Sequence, residues 1–406
     1  MHVLCSRCRR EYAQGTLGRC PVCGGILKAE YADEAVKQLA EVRPGPGIDR
    51  YRDVLPVSVP IPSLGEGDTP LLPSRRLGPY LGLKNLYFKN EGRNPTGAFK
   101  DRAGALTAAL ALEAGTAGVL TASSGNAGSA ISAYCAAAGL RCLILLERGS
   151  PAAKLRQSLA TGARVLPVED LFSQGPQAVA DLLMALAARL NYYLAFVWAP
   201  VNPYVLEGIK SISYEIAAQL PGAPDALVCP VGGGDLLTAQ WRGWLELKQA
   251  GVTSRLPRLA AVQSLSAPPL LEAFRSGGDR VDTIPYAHSR ISGINVAFSG
   301  EHALAAVRES GGTVIGVSDE EVFAMQRRLA AEEGIWVEPV GAAPLAALPL
   351  LLDSQQISPK ERIVSVLSGA GFKDSHLAEA EARAVEAQEV APFEAEAIAK
   401  QVTRDA

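Results

Sequence analysis

Short apolar segments alternate with helix-like stretches along most of the chain. The strand-like segments, each bounded by turn-forming residues, are LYFKNE, GVLTAS, RCLILLE, ARVLPVE, YYLAFVW, ALVCPV, RLAAVQ and RIVSVLS. Between them, apolar residues recur at helical spacing in AVADLLMALAARL and EEVFAMQRRLAAEEG. Because helices cover both faces of a parallel sheet, its strands are apolar throughout rather than alternating. The pattern therefore predicts an α/β protein with open, mostly parallel sheets.

Composition and charge narrow the class of protein. The chain has 406 residues, of which 48% are hydrophobic, and a net charge of −3. This length allows two or three domains, and the lack of a basic stripe argues against nucleic acid as a partner. No segment approaches the roughly 18 apolar residues of a membrane helix, and MHVLCSRCRR contains no apolar signal region. We therefore expect a cytoplasmic protein without a membrane partner, and a homodimer because that is the commonest oligomer.

The seven cysteines fall into two groups. Two C-x2-C pairs, separated by eleven residues, lie near the start of the sequence, and the other three cysteines lie in apolar segments. Four thiolates on two short turns suit a tetrahedral, structural zinc ion. Two redox pairs or unconnected cysteines are the alternatives. The predicted zinc ligands are Cys5, Cys8, Cys20 and Cys23.

A lysine follows a tight turn in NPTGAFKDR, residues 94–102, and precedes the helix-like stretch RAGALTAALALEAG. This segment is not a phosphate-binding P-loop, which requires GxxxxGK followed by Ser or Thr, because Gly97 is followed by Ala98. Lys100 can be a solvated lysine at a helix start, which is a common use of such residues. It can also be a functional amine, and the local sequence does not decide between the two.

Three further segments place small polar residues or glycines where a strand meets a helix, which is where open α/β sheets bind ligands. They are TASSGNAGSAISAYCAAAG, ALVCPVGGGDLLTAQWRGWLEL and IVSVLSGAGFKD. The first suits a carboxylate, although simple helix capping is the alternative. The glycines of the second suit a phosphate, although a plain tight turn explains them equally well. The third ends a strand on Ser368 followed by glycine.

Together, the lysine and these three segments provide what pyridoxal phosphate needs. A lysine forms the Schiff base, glycine and serine loops bind anionic groups, and the cofactor serves as the electron sink. The histidines fall in no catalytic or metal-binding motif, so histidine-based chemistry and metal-assisted hydrolysis find no support. The histidines are His2, His288, His302 and His376.

The order of these motifs resembles that of the threonine synthase family among the fold type II pyridoxal-phosphate enzymes, which include threonine and serine dehydratases. Between residues 50 and 375 the matching segments are GEGDTPL, NEGRNPTGAFKDR, SSGNAGSA, VNPYVLEG, PVGGGD, EEGIWVEPVGAA and LSGAGFKD. The family's lysine motif, NPTGSFKDRG, is nearly intact, and several relatives carry a cysteine-paired N-terminal module. The resemblance implies two open, mostly parallel-sheet domains of the tryptophan synthase β-like architecture, with pyridoxal 5'-phosphate as cofactor.

The resemblance also implies roles for single residues. Lys100 holds the cofactor and acts as base for the α-proton, Asn126 faces the cofactor's phenolic oxygen, and Ser368 meets its pyridine nitrogen. A neutral hydroxyl cannot keep the pyridine protonated as a carboxylate would, so the ring is expected to be a weaker sink. The residues implied to cradle the cofactor phosphate are Gly232, Gly233, Gly234 and Asp235. Those implied to take the substrate carboxylate are Ser123, Ser124, Gly125, Asn126 and Ala127.

Several positions depart from the family's pattern for binding the phosphate of O-phosphohomoserine. Ala127 stands where the family's STGNT loop ends in threonine. In APVNPYVLEG, Pro200 and Val205 replace the Ser and Arg of NSVNPHRLEG. GGGD replaces GNAGN, EPVGAA has Gly341 where EPASAA has serine, and SGAG replaces TGHG. Each charge-assisted hydrogen bond lost is worth roughly 1.5–3 kcal/mol, so the substrate-phosphate site is not clearly present.

We therefore expect a threonine-synthase-like lyase of the threonine/serine ammonia-lyase or β-replacement type. Such an enzyme removes the α-proton of a small hydroxy-amino acid and then eliminates or replaces a side-chain substituent. A genuine threonine synthase, which converts O-phosphohomoserine and water to threonine and phosphate, is the alternative. A zinc-module scaffold on a decayed enzyme body is a third hypothesis, which the intact Lys100 and Asn126 disfavour.

Motifs and composition together suggest the domain order. We expect a zinc-ribbon-like module at 1–30, and a linker with the N-terminal part of a large domain at 31–94. A small domain with the cofactor lysine follows at 95–200, and a large domain that binds the cofactor phosphate at 201–376. An Ala/Glu-rich helical tail is expected at 377–406.

Overall fold

A computed structural model of the protein describes residues 1–41, 43–123, 125–148, 155–172 and 175–374. Within it, Met1–Lys373 pack together as one unit. Ser124, predicted to bind the substrate carboxylate, lies outside the described residues, as does the predicted tail at 377–406. None of the helices in the described ranges is long and apolar enough to cross a membrane.

The strands of the described chain form three sheets. They are β1 His2–Cys5, β2 Glu11–Tyr12, β3 Leu27–Glu30, β4 Leu71–Pro73, β5 Asn85–Asn90, β6 Gly118–Ala122, β7 Arg141–Glu147, β8 Arg164–Val168, β9 Tyr192–Leu194, β10 Ala226–Pro230, β11 Arg258–Ser264, β12 Thr313–Val317 and β13 Arg362–Leu367. An antiparallel sheet has the order β2-β1-β3, and a parallel sheet has the order β8-β7-β6-β9. The largest sheet, β12-β11-β10-β13-β5-β4, is parallel except at its edge strand β4.

Helices connect the strands of the two larger sheets. They are α1 Asp33–Lys37, α2 Leu77–Tyr80, α3 Lys100–Glu113, α4 Asn126–Ala137, α5 Arg156–Ala160, α6 Gly175–Leu190, α7 Val205–Ile209, α8 Ser211–Gln219, α9 Asp235–Gln249, α10 Pro269–Ser276, α11 Glu301–Glu309, α12 Asp319–Glu333 and α13 Pro339–Asp353. Short 3-10 helices occupy Gln38–Ala40, Gly47–Val54, Glu91–Arg93 and Gly371–Lys373. Local chemistry explains the ends of α12, because Ser318 and Glu321 form a capping box and Gly334 closes the helix with φ +69°.

The predicted α/β class is confirmed, and burial explains why the sequence pattern works. Every residue of β6 and of β10 is buried, as expected for strands covered on both faces. Five of the strands that the structure describes were not predicted. Four of them, β1 to β4, are only two to four residues long, and the fifth, β12, is the short segment TVIGV with a glycine near its centre. The domain boundaries stay predictions, although the largest sheet takes strands both from 71–90 and from 226–367.

The pairing of β13 with its neighbouring strands brings the lysine turn and Ser368 close together. This strand lies between β10 and β5, and Leu367 pairs with Asn90 at the carboxyl ends of both strands. The lysine turn follows β5 along the chain, and Ser368 directly follows β13. Parallel pairing therefore brings segments from distant parts of the sequence to one edge of the sheet, the edge at which α/β proteins bind ligands.

Candidate active site

Lys100 begins α3 directly after a tight turn. Gly97 lies in the left-handed region with φ +88°, and its N–H donates to the carbonyl of Asn94 at 2.8 Å. The N–H of Phe99 donates to the carbonyl of Ser368 at 3.0 Å, and Ala98 bridges Gly369. The turn is thus attached to the end of β13, so the start of α3 lies beside the strand-end serine.

The Lys100 side chain is half-buried, with Nζ 4.6 Å from the centre of the Phe99 ring. It makes no hydrogen bond or ion pair with another described residue. Burial lowers the pKa of Lys100, and the Asp235 and Glu338 carboxylates offset part of this shift. A lowered pKa increases the fraction of neutral, nucleophilic amine. This environment does not match that of a solvated lysine at a helix end.

Asp101 and Arg102 have structural partners. The N–H of Thr96 donates to Asp101 Oδ2 at 2.6 Å, and the Thr96 hydroxyl donates to the other carboxylate oxygen. Burial raises the pKa of Asp101 to about 6, although these hydrogen bonds oppose the shift. Arg102 Nε donates to Glu91 at 2.8 Å, and Nη1 donates to Glu215 at 2.6 Å. These two residues therefore fix the turn that presents Lys100.

Asn126 and Ser368 meet at the carboxylate of Glu338, which sequence analysis did not select. Asn126 Nδ2 donates to the two oxygens of Glu338 at 3.0 and 2.9 Å, and Ser368 Oγ donates to Oε1 at 3.2 Å. Glu338 is buried at the start of α13, where its own N–H donates to the carbonyl of Gly369 at 3.0 Å. The sequence did contain a feature that could have identified Glu338, because this glutamate directly precedes an apolar helix in the EPVGAA motif.

The serine loop before α4 is arranged around Ser123. Its Oγ accepts hydrogen bonds from the N–H groups of Gly125 and Gly128, both at 3.2 Å. The Ser123 hydroxyl therefore closes the loop and satisfies one N–H of the first helical turn. Asn126 and Ala127, the first two residues of α4, are both partly exposed. The role of this loop in binding a carboxylate stays a prediction.

The triglycine turn at 232–234 leads into α9. Gly234 has φ +101°, and a Cβ on Gly233 would lie 3.1 Å from Cδ1 of Trp198, so neighbouring side chains occupy the space around the turn. Asp235 is buried, and its Oδ1 accepts a hydrogen bond of 2.8 Å from the N–H of Ala199. A carboxylate cannot donate to a phosphate, so Asp235 offers such a group only its backbone N–H.

Three side chains near this turn were not predicted from the sequence. Trp198 Nε1, Ser299 Oγ and both ring nitrogens of His302 are buried without a hydrogen-bond partner among the described residues. His302 Nε2 lies 3.3 Å from Asp235 Oδ1, within ion-pair distance but without hydrogen-bond geometry. No local motif marks them, since only the fold brings them to the turn.

The four N-terminal cysteines lie together, as their spacing predicted. Their sulfur atoms are all within 4.8 Å of one another, with Cys5 at the end of β1 and the other three between the strands. A hydrogen bond from the Tyr12 hydroxyl lowers the pKa of Cys20 to about 6, which favours a thiolate. Tetrahedral sulfur sites of this kind suit zinc. The cluster lies in the first 23 residues, whereas the predicted cofactor residues begin at Lys100.

The residues at the sheet edge fit pyridoxal phosphate. Lys100 provides an amine that has no hydrogen-bond partner among the described residues, and Asn126 and Ser368 provide polar groups. Buried donors lie near a glycine turn at the start of a 15-residue helix. Helix N-termini that follow glycine turns bind phosphate. Two open, parallel sheets with this residue set define a pyridoxal-phosphate-dependent enzyme of fold type II.

Comparison with known proteins agrees with this class. The family described as "Pyridoxal-phosphate dependent enzyme" matches residues 62–369, and the chain belongs to that family. The threonine synthase of Methanosarcina acetivorans is 37% identical over 380 residues, which cover 92% of each chain. The threonine synthase of Methanocaldococcus jannaschii is 37% identical over 91% of this chain and 92% of that protein.

Solved structures show the same fold. A threonine deaminase from T.th. is 27% identical with a TM-score of 0.62, and the alignment covers 74% of this chain and 92% of that one. Maize serine racemase is 21% identical with a TM-score of 0.69, and the alignment covers 88% of this chain and 99% of that one. At such low identity, the racemase supports the fold alone.

Proposed function

We propose that the protein is a threonine-synthase-like lyase that acts on threonine or serine, or on a close derivative, and eliminates or replaces a side-chain substituent. One observation carries the proposal. Lys100, Asn126, Ser368 and the triglycine turn come from four separate segments, and each lies next to the carboxylate of Glu338 or of Asp235. The threonine synthase relatives and the threonine deaminase structure support the same type of chemistry.

Each residue has a defined part in this proposal. Lys100 would hold the cofactor through its amine and would accept the α-proton on Nζ. Burial lowers the pKa of this amine, which increases the neutral fraction that is able to accept a proton. When bound, the cofactor supplies the electron sink for this proton transfer. Asn126 and Ser368 would hold the cofactor ring through their side-chain polar groups. Glu338 positions both side chains through hydrogen bonds of 2.9–3.2 Å.

Two positions at which the family's pattern places polar side chains for a substrate phosphate offer no side-chain donors here. Pro200 and Val205 are buried and cannot donate from their side chains. Lys210 is fully buried, and its Nζ is paired with Glu207 at 2.7 Å and with Glu246 at 2.8 Å. These features favour an unphosphorylated hydroxy-amino acid over O-phosphohomoserine.

A genuine threonine synthase is the second candidate. Two threonine synthase relatives support it, because each is 37% identical to this chain over 92% of the relative's own length. In that case O-phosphohomoserine must be recognised by donors other than those of the family's usual pattern. The two candidates share the proposed roles of Lys100, Asn126 and Ser368 and differ in the substrate.

Separate assays of O-phosphohomoserine, L-threonine, L-serine and O-acetylserine distinguish the two candidates. We expect threonine or serine to give ammonia and a 2-oxo acid, with phosphate release from O-phosphohomoserine lower by several powers of ten. Two or three missing hydrogen bonds account for that difference, at about 1.4 kcal/mol per tenfold in rate. Efficient formation of threonine and phosphate would contradict the first candidate and establish the second.

The proposal also includes a zinc ion, a homodimer and a cytoplasmic location. We propose that Cys5, Cys8, Cys20 and Cys23 bind one structural zinc ion, because a closed four-sulfur site leaves no open position for catalysis. Metal analysis of the purified protein tests this. Sedimentation at several protein concentrations tests for the homodimer, which rests only on its general frequency.

A further inference from the structure

Ser299 and His302 are two of the three buried side chains near the triglycine turn that have no hydrogen-bond partner among the described residues. Ser299 is buried, and its hydroxyl has no hydrogen-bond partner among the described residues. The His302 side chain is only 7% exposed, and neither ring nitrogen has such a partner. Native proteins seldom leave buried donors unsatisfied, so each exception requires an explanation. A ligand at this place would provide one.

Both donors lie at the same point of the turn. A Cβ built on Gly234 would be 3.4 Å from His302 Nε2 and 3.5 Å from Ser299 Oγ. Gly234 is the residue before α9, whose first N–H groups have no partner within the helix. Ala303 Cβ would lie 2.5 Å from the same built atom, so the point itself is filled and the two side-chain donors lie beside it. Donors gathered next to the free N–H groups of a helix N-terminus suit an anion.

Neighbouring residues hold the His302 ring in this place. Asp235 Oδ1 lies 3.3 Å from Nε2, and its position is fixed by the 2.8 Å hydrogen bond from the N–H of Ala199. A Cβ on Gly300 would overlap the imidazole, so the glycine leaves room for the ring.

We propose that Ser299 and His302 donate hydrogen bonds to the cofactor's phosphate group at the triglycine turn, with Asp235 as the residue that positions the His302 ring. This inference rests on the proposed function, because it requires pyridoxal phosphate as the ligand. It assigns a use to His302, which lies in none of the sequence motifs. It also explains how a turn without side chains gains additional donors for a phosphate.

Binding of pyridoxal phosphate and of pyridoxal, which has no phosphate, to cofactor-free protein tests the proposal. For His302→Ala we expect the dissociation constant for pyridoxal phosphate to rise about tenfold or more, and for Ser299→Ala about fivefold. The constant for pyridoxal should change less than about twofold in both variants, because the lost donors contact only the phosphate. His302→Gln keeps an N–H donor and should recover part of the affinity.

Controls separate this effect from misfolding and from failure of the proposed function. His288→Ala changes a histidine outside the turn and should alter neither constant. The ³¹P resonance of the bound cofactor should shift in His302→Gln, a variant that preserves side-chain volume. Equal weakening of both ligands, or no change in either, would overturn the inference while leaving the proposed function intact. A wild-type protein that binds neither ligand would overturn both.

Discussion

Two polar clusters, one buried and one partly exposed, lie at the start of α3 and differ in how they use their hydrogen-bonding groups. The arginine cluster consists of Lys89, Glu91, Arg102 and Glu215, and the lysine site consists of Lys100, Asn126, Glu338 and Ser368. In the arginine cluster every charged group has an opposite charge within 2.6–2.9 Å. In the lysine site, the amine of Lys100 has no hydrogen-bond or ion-pair partner among the described residues.

The difference shows what separates a structural cluster from a functional one. Burial tends to raise the pKa of Glu215, yet Arg102 and Lys89 hold it well below its ordinary value, so the carboxylate stays charged and paired. Burial lowers the pKa of Lys100, and the two nearby carboxylates do not cancel that shift. Charges of the first kind stabilise the fold, whereas an unpaired amine remains able to react with a ligand.

Lys100→Ala is the change with the largest expected effect on activity. We expect turnover to fall by about 10³-fold or more, since both the cofactor anchor and the α-proton base are removed. Borohydride reduction with pyridoxal phosphate, followed by peptide mapping, should label Lys100 in the wild type. Lys84→Ala, at an exposed position, should keep both labelling and activity. Labelling of any other lysine would show that the lysine site is misassigned.

Arg102→Met should cause the largest loss of stability. The substitution leaves Glu91 and Glu215 buried without their main partner, which typically costs about 3–5 kcal/mol. Urea unfolding followed by circular dichroism measures this loss. Arg148→Met is the matched control, because the Arg148–Glu169 pair is 71% and 73% exposed and should contribute less than about 1 kcal/mol. Similar losses in both variants would refute the distinction between buried and exposed pairs.

Asp101 lies between Lys100 and Arg102 in the sequence, and it should make stability depend on pH. Its folded-state pKa of about 6 lies above the ordinary 3.8, so its contribution is complete below about pH 4 and is lost as the pH rises through 6. Relative to Asp101→Asn, the free energy of unfolding of the wild type should fall by about 2–3 kcal/mol between pH 4 and 7. A difference that stayed flat, or increased with pH, would contradict the raised pKa.

Cys8→Ser should have the smallest effect on the lysine site. Wild-type protein should contain one zinc ion per chain, and the variant should lose most of it together with the local structure of the first three strands. Activity should stay within about twofold, because the predicted cofactor residues begin at Lys100. Cys135→Ala, outside the cluster, should retain the zinc. A disulfide among the four cysteines of the wild type would contradict metal binding.

Many strands and helices of the fold could be predicted from the local pattern of apolar and polar residues. The fully apolar segments GVLTAS and ALVCPV contain β6 and β10, and the helical period of EEVFAMQRRLAAEEG marks α12. The order of the strands within each sheet could not be predicted, because strand pairing depends on contacts between residues that are far apart in sequence. The last strand, β13, lies in the middle of the largest sheet. Nothing within RIVSVLS specifies that position.

The same limit applies to the site. Lys100, Asn126 and Ser368 were selected from motifs, and their roles stay predictions that await the tests above. Glu338 escaped selection because its importance arises from a carboxylate placed between two distant side chains. His302 was set aside for lack of a motif, and only the fold brings it within 3.3 Å of Asp235.

The position of β13 has a consequence for folding during synthesis. Strands β4 and β5 contact the rest of the largest sheet through β13, and Ser368 leaves the ribosome only after it. At about 5–20 residues per second, β5 waits on the order of tens of seconds for its partner, whereas the strands of the four-stranded sheet are made in one continuous stretch. We expect protease to cleave ribosome-arrested chains near β5 until β13 has emerged. The lysine site can therefore first assemble only after this strand has been made.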